Sequence, residues 1–143
     1  MPKLIFVNLP VTDLARATAF YEAVGARKDA RFSDPTASCM VLSETIHAML
    51  LTHDKFRQFT PKPIADAKAT TGVLICVSAE SRDEVDQVAG KAGEAGGRAD
   101  PAPPQDHGFM YGRSFEDPDG HVWEVMWMDT AAAEAAMGAK PAA

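Results

Sequence analysis

FEDPDGHVWEVMWM, residues 115–128, has the pattern of a β-hairpin. In its turn, Pro118 fixes one backbone angle and Gly120 accepts a positive φ. Beyond the turn, side chains alternate between the two faces of a strand. Trp123 and its alternate neighbours suit packing against helices, whereas Glu124 and Met126 would line a cupped sheet. A carboxylate in an apolar cup is costly unless it is paired or metal-bound, so Glu124 is the most informative residue.

The rest of the chain predicts one order of elements twice: strand, helix and three strands. The first set occupies residues 1–57 and the second residues 71–129, with a linker at 58–70 and an Ala-rich tail at 130–143. Apolar alternation and helical periodicity predict strands at 4–11, 26–32, 37–42, 46–51, 72–77, 98–101, 109–115 and 121–128, and helices at 13–24 and 81–95.

Helix boundaries support this order. Thr12 or Asp13 can cap the first helix, and Gly25 can end it. Ser81 and Glu84 form a capping box at the start of the second helix. A repeat of this kind is strong evidence for architecture. We therefore predict an α+β fold in which two βαβββ modules form an incomplete barrel around a shared cavity.

Composition limits the partners. The net charge of -6 opposes binding to nucleic acid, and no apolar stretch approaches the ~20 residues that span a membrane. Cys39 and Cys76 lie in apolar runs, which predicts two buried thiols. Together with the lack of a signal-peptide apolar region, they predict a cytoplasmic protein.

Two motifs resemble those of the vicinal oxygen chelate superfamily, which includes glyoxalases, bleomycin resistance proteins and extradiol dioxygenases. The first is VTDL at 11–14, followed by Phe20, Tyr21 and Gly25. The second, more specific motif is FEDPDGHVWE at 115–124. The resemblance covers residues 4–129 and implies the βαβββ fold, a small-molecule cavity and a homodimer, because modules of this family often pair between chains.

The resemblance also implies a divalent metal held by one residue from the first and last strand of each module. Glu124 matches one of these positions. The other three fall on Phe6, Leu50 and Gly72, whose side chains cannot bind a metal. A zinc site normally needs three protein ligands. We therefore expect no cofactor, while a divalent metal at Glu124 stays an alternative, for which a shifted register would recruit only Asn8.

The substrate-binding residues that we predict are those directed into the cavity: Phe6, Asn8, Leu50, Ser114 and Met126. Strand 109–115 directs either Met110, Gly112 and Ser114 or Tyr111 and Arg113 inward, and the family register favours the first set. An inward Arg113 would pair with Glu124 or bind an anionic substrate.

The four histidines differ in their predicted positions. His47 and His121 are predicted to face outward or cap turns, because each lies three residues before Leu50 or Glu124. His53 is predicted to be solvated. His107, beside Asp106, could reach a pocket mouth as an acid or base.

Three functions remain open. The first is a metal-free protein that binds a small molecule in an apolar, Met-lined cavity, as the bleomycin-resistance branch does. The second is a metal-dependent enzyme, a glyoxalase-like lyase or a dioxygenase-like oxygenase. The third is a metal-free enzyme with Glu124 as the catalytic base. The incomplete ligand set favours the first.

Overall fold

Two mixed β-sheets, each covered on one face by a helix, make up the computed structural model, which describes residues 1–138. In sheet 1 the strand order is β1-β4-β3-β2, and in sheet 2 it is β5-β9-β8-β6, with β7 paired to β8. In both sheets the first strand runs parallel to the last one, so the modules repeat one topology. The predicted α+β architecture of two modules is confirmed, and the barrel is not closed.

The bounds of the elements follow chain order. The first module contains β1 (Ile5–Val11), α1 (Leu14–Ala23), β2 (Arg27–Asp34), β3 (Ala37–Val41), β4 (Ile46–Thr52) and the short helix α2 (His53–Arg57). The second contains β5 (Leu74–Ser78), α3 (Arg82–Glu94), β6 (Arg98–Ala99), β7 (Gln105–Asp106), β8 (Met110–Glu116), β9 (Val122–Met128) and α4 (Thr130–Met137).

Strand β7 was not expected. It lies in the Pro-rich loop, where two residues are too few to show the alternation of a strand. Part of the predicted Ala-rich tail forms α4, which Asp129 caps by accepting a hydrogen bond from the backbone N–H of Ala132 at 3.1 Å. The end of that tail, residues 139–143, lies outside the described residues.

The helix caps resolve the choice between Thr12 and Asp13. Asp13 caps α1, since its carboxylate accepts a hydrogen bond from the backbone N–H of Arg16 at 3.0 Å. Thr12 instead joins the modules: its backbone N–H and its hydroxyl donate to Asp119, at 2.9 and 2.8 Å. Ser81 caps α3 as predicted, accepting from the backbone N–H of Glu84 at 3.1 Å. The other half of the predicted capping box differs, because the Glu84 carboxylate accepts from the backbone N–H of Glu80 and not from that of Ser81.

A single hydrophobic core joins the modules on their helix-covered side. Phe20 and Tyr21 of α1 pack there against Phe115 of β8 and Trp123 of β9. Burying one such large side chain contributes on the order of 1.5–3 kcal/mol. The other buried members of the core are Leu9, Val11, Ala17, Met40, Ala48, Leu50 and Ala92.

At the centre of this core lies a polar junction formed by Tyr21, Asp117 and Trp123. The Tyr21 hydroxyl donates to the Asp117 carboxylate at 2.6 Å and accepts a hydrogen bond from the Trp123 indole N–H at 2.9 Å. The second Asp117 oxygen accepts from the backbone N–H groups of Asp119 and His121, both at 2.9 Å. Burial raises the pKa of Asp117, so its charge depends on these donors.

The opposite face of each sheet, here called its open face, carries no α1 or α3. Cross-strand register places Phe6, Asn8, His47, Met49 and Leu51 on the open face of sheet 1. It places Leu74, Cys76, Gly112, Ser114, Val122, Glu124 and Met126 on the open face of sheet 2. No helix among residues 1–138 is long and apolar enough to cross a bilayer.

Replacing Tyr21 with Phe should weaken the contact between the modules. The change leaves the Trp123 N–H and the Asp117 carboxylate without their shared partner, and a buried unsatisfied group costs about 1–3 kcal/mol. We expect the free energy of unfolding in urea to fall by about 2 kcal/mol.

Tyr111→Phe is the matched control, because the Tyr111 hydroxyl donates to Asp86 at 2.6 Å in an exposed position. We expect this control to lose less than about 1 kcal/mol. Equal losses in the two variants would contradict the role of the buried junction.

Candidate functional site

Glu124 lies in the middle of β9, on the open face of sheet 2. Its neighbours across the sheet are Cys76 on β5 and Ser114 on β8. A cavity of about 220 Å³ opens beside these residues. Its walls also include Met110, Met126, Ala102, Pro103, Gln105 and Gly112. The Glu124 carboxylate therefore shares a mostly apolar cavity with one thiol, one hydroxyl and two thioethers.

The Glu124 carboxylate has no hydrogen bond or ion pair within the described part of the chain. Arg113, which could have neutralised it, points to the helix-covered face. There it donates to Asp100 at 2.7 and 3.0 Å and to Asp86 at 3.0 Å. The family register for β8 is thus correct, and Glu124 is left half-buried with free acceptor atoms.

Cys76 differs from the sequence expectation, because its side chain is exposed whereas that of Cys39 is buried. The apolar run around Cys76 belongs to an edge strand with one open face, and alternation places the thiol on that face. Partial burial and, to a lesser extent, the Glu124 charge raise its pKa. Cys76 is therefore a neutral thiol at physiological pH and not an activated nucleophile.

The loop between β6 and β8 crosses the cavity and is anchored at both ends by arginines of the helix-covered face. Arg113 binds Asp100 at one end. Arg82 binds Asp106 at the other, at 2.9 and 3.0 Å, and these bonds lower the pKa of Asp106 to about 2. The Ser114 hydroxyl accepts from the backbone N–H of Ala102 at 3.3 Å. The loop that forms this wall is thus held by the Arg113–Asp100 and Arg82–Asp106 ion pairs, and Arg113 itself contributes to the lining of the cavity.

Leu50 requires a correction, because it is fully buried in the core and does not reach the open face. Pro10 on β1 and Cys76 on β5 occupy equivalent positions, each directly before the valine (Val11 or Val77) that precedes the helix of its module. Pro10 pairs with Leu51, and Cys76 pairs with Glu124. The residue equivalent to Glu124 is therefore Leu51. Sequence comparison of the two last strands was wrong by one residue, and such a shift exchanges the two faces of a strand.

Because of this error, His47 was predicted to lie on the wrong face of β4. Predicted to face outward, it lies on the open face of sheet 1 with its ring stacked on Phe6, at 4.6 Å between centroids. Its Nδ1 atom is buried and lacks a hydrogen-bond partner among residues 1–138. Correct alternation from Leu51 would have placed His47 on this face, since the two are four residues apart.

The other predicted site residues are divided between the sheets. Ser114 and Met126 join Glu124 at its cavity. Phe6 and Asn8 lie on the open face of sheet 1, and Asn8 lines a separate cavity of about 210 Å³. Gly72 precedes β5 and lines that same second cavity.

Three histidines take up positions away from the Glu124 cavity. His121 has its Nε2 atom 2.8 Å from the Pro10 carbonyl, which ties the hairpin to β1. His107 is exposed and lies against Phe109, with ring centroids 6.2 Å apart. His53 starts α2 and is partly buried rather than fully solvated.

The donor set does not fit the metal site that the family resemblance implies. Within residues 1–138, no three His, Cys, Asp or Glu side chains are grouped as a metal site would require. The positions equivalent to Glu124 in the metal-binding register hold Phe6, Leu51 and Gly72. Catalytic zinc sites use three protein ligands, and this chain supplies one.

Comparison with known proteins identifies one family. The family model of the Glyoxalase/Bleomycin resistance protein/Dioxygenase superfamily matches residues 3–125. No curated protein matches the chain significantly.

Solved structures share the fold. A hypothetical protein from S. aureus is 25% identical, with a TM-score of 0.73 and coverage of 89% of this chain and 94% of that one. A family enzyme from Burkholderia phytofirmans is 19% identical, with a TM-score of 0.71 and coverage of 89% and 99%. The fosfomycin resistance protein FosX from Mesorhizobium loti is 18% identical, with a TM-score of 0.65 and coverage of 93% and 98%.

Proposed function

The chain belongs to the Glyoxalase/Bleomycin resistance protein/Dioxygenase superfamily, and from this premise we propose that it is a metal-free protein that binds a small molecule at Glu124. The observation that carries the proposal is the isolated carboxylate. Glu124 is half-buried among Met110, Met126 and Pro103, without a basic partner in the described residues. A ligand in the cavity would supply the hydrogen-bond donor that this carboxylate lacks.

The chemistry of the cavity defines the ligand class. Carboxylate oxygens only accept hydrogen bonds, so the ligand must present an O–H or N–H group to Glu124. The thioethers of Met110 and Met126 adapt to irregular apolar or aromatic groups. A small aromatic alcohol or a related donor meets both conditions. The low identity to FosX gives no reason to transfer its ligand.

A metal-free enzyme is the second candidate, and the same observation favours it. A half-buried carboxylate with free acceptor atoms can take a proton from a bound substrate. In that case Glu124 is the catalytic base and the ligand's donor group is the reacting acid. A metal-dependent lyase or oxygenase fits less well, because the open faces supply too few metal ligands.

We also propose that the protein is a homodimer. The first strands of both sheets, β1 and β5, are edge strands, and their N-terminal ends expose Phe6 and Leu74 by 48% and 60%. Adjacent Leu4, Ile5 and Val73 are exposed by 52%, 53% and 66%. Exposed apolar patches on edge strands are typical of surfaces that pair with another chain.

Metal titration tests the metal-free proposal. An ion at 100 times its dissociation constant would stabilise the protein by about 2.7 kcal/mol. We expect Zn²⁺, Mn²⁺ and Fe²⁺ to leave the unfolding midpoint unchanged, and metal analysis of the purified protein to find no stoichiometric ion. One tightly bound equivalent that persists in Cys76→Ser and disappears in Glu124→Gln would overturn the proposal.

Phenol and catechol serve as probes of the carboxylate. Glu124→Gln should weaken their binding about tenfold, because hydrogen bonds to charged groups contribute about 1.5–3 kcal/mol. Chemical-shift titration by NMR measures both affinities. Glu116→Gln is the matched control on the same face of sheet 2, since Glu116 already has Arg98 at 3.6 Å. No binding, or an equal loss in both variants, would exclude Glu124 as the ligand site.

Leu74→Lys should convert the dimer to a monomer, because it places a charge in the exposed apolar surface of edge strand β5. Sedimentation velocity over a range of concentrations measures the change. Phe32→Lys is the control, since Phe32 is 64% exposed but lies on β2, the opposite edge of sheet 1. A wild-type protein that sediments as a monomer at every concentration would contradict the proposal.

A further inference from the structure

A cavity of about 250 Å³ lies between the two modules on the helix-covered side, away from both open faces. We call it the seam cavity. Tyr21 of α1 and Val24, the residue that follows α1, line one wall, and Val88 of α3 lines the other. Phe115 and Trp123 form the floor. Neither the Glu124 site nor any feature of the proposed function involves this cavity.

The inner surface of the seam cavity is mostly apolar, although two of the residues that line it, Tyr21 and Trp123, carry polar groups. The Tyr21 hydroxyl and the Trp123 indole N–H are both engaged in the buried junction with Asp117. These residues therefore present ring surfaces and no free donor. Leu42, Ile46, Val77 and Val125 contribute further apolar surface. Protein interiors are normally close-packed, and apolar cavities of ~150 Å³ bind benzene.

The mouth of the seam cavity is acidic. Glu84 lies there beside the hydroxyl-bearing Ser43 and Ser78. One Glu84 oxygen accepts the backbone N–H of Glu80, which leaves the other free. None of the ion pairs in residues 1–138 includes Glu84, so no arginine or lysine neutralises it. A ligand that fills the cavity would therefore place its polar end next to a negative charge.

From these observations we propose that the seam cavity binds a small organic amine, with its apolar body between Val88 and Trp123 and its ammonium group at Glu84. The body would have roughly six to ten heavy atoms, since a somewhat smaller cavity accommodates benzene. An ammonium group offers three donors, enough to reach Glu84 and one of the two serines. Because α1 and α3 form opposite walls, the bound amine bridges the modules and stabilises their contact.

Benzylamine and benzyl alcohol are the probes. They share an aromatic body and differ in charge. NMR titration should show benzylamine shifting resonances of the seam-cavity residues and binding about tenfold more tightly than benzyl alcohol, which lacks the charge-assisted hydrogen bond. Benzylamine should also raise the unfolding midpoint, because it binds only the folded state.

Two variants distinguish the contribution of the Glu84 charge to binding from that of the cavity space. Glu84→Gln keeps an oxygen for the Glu80 N–H and should weaken benzylamine about tenfold while leaving benzyl alcohol unchanged. Val88→Phe fills the cavity and should abolish binding of both probes. Circular dichroism confirms that each variant folds.

Glu124→Gln distinguishes this site from the proposed one. It should leave benzylamine binding at the seam cavity unchanged, whether or not it affects phenol binding on the open face. The inference is overturned if benzylamine fails to bind, if Glu84→Gln and Val88→Phe bind it as the wild type does, or if Glu124→Gln alone removes it.

Discussion

The hydrogen-bonded junction of Tyr21, Asp117 and Trp123 sets the arrangement of this protein, because it fastens a helix of the first module to a hairpin of the second. Each group satisfies another inside a low-dielectric core: the tyrosine hydroxyl accepts one hydrogen bond and donates one, and the aspartate accepts from the tyrosine and two backbone amides. Such a network stabilises only when complete. It therefore fixes the relative position of the modules as well as their contact.

Because the modules join by their helix-covered faces, parts of the opposite faces stay exposed. Apolar side chains such as Phe6 and Leu74 then remain in solvent on edge strands, and Glu124 lies beside an accessible cavity. The same packing direction thus creates the candidate binding site and the apolar surface that a second chain would cover. The candidate site and the proposed dimer surface therefore both result from the face by which the modules pack.

The distribution of ion pairs leaves a carboxylate without a basic partner at the Glu124 cavity and another at the seam cavity. Arg82 and Arg113 lie on the helix-covered face of sheet 2, where they are bound to Asp106, Asp100 and Asp86. These ion pairs neutralise both arginines and help to hold the loop over the Glu124 cavity. Neither Glu124 nor Glu84 has an ion-pair partner within the described chain, and each lies at the edge of an apolar space. Ligands with hydrogen-bond donors suit both places.

Local sequence patterns determined the order of elements, the capping of α3, the hairpin turn and the open-face position of Glu124, because short-range periodicity and turn chemistry decide these features. These local patterns could not predict the pairing register between strands that are far apart in the chain. Whether Leu50 or Leu51 faces the cup, and whether His47 does, depends on how β4 pairs with β1 and β3, and a shift of one residue reverses every side chain. The tertiary structure alone decided this register, the engagement of Arg113 by α3 and the cavity between the modules, since each results from contacts between segments far apart in the chain.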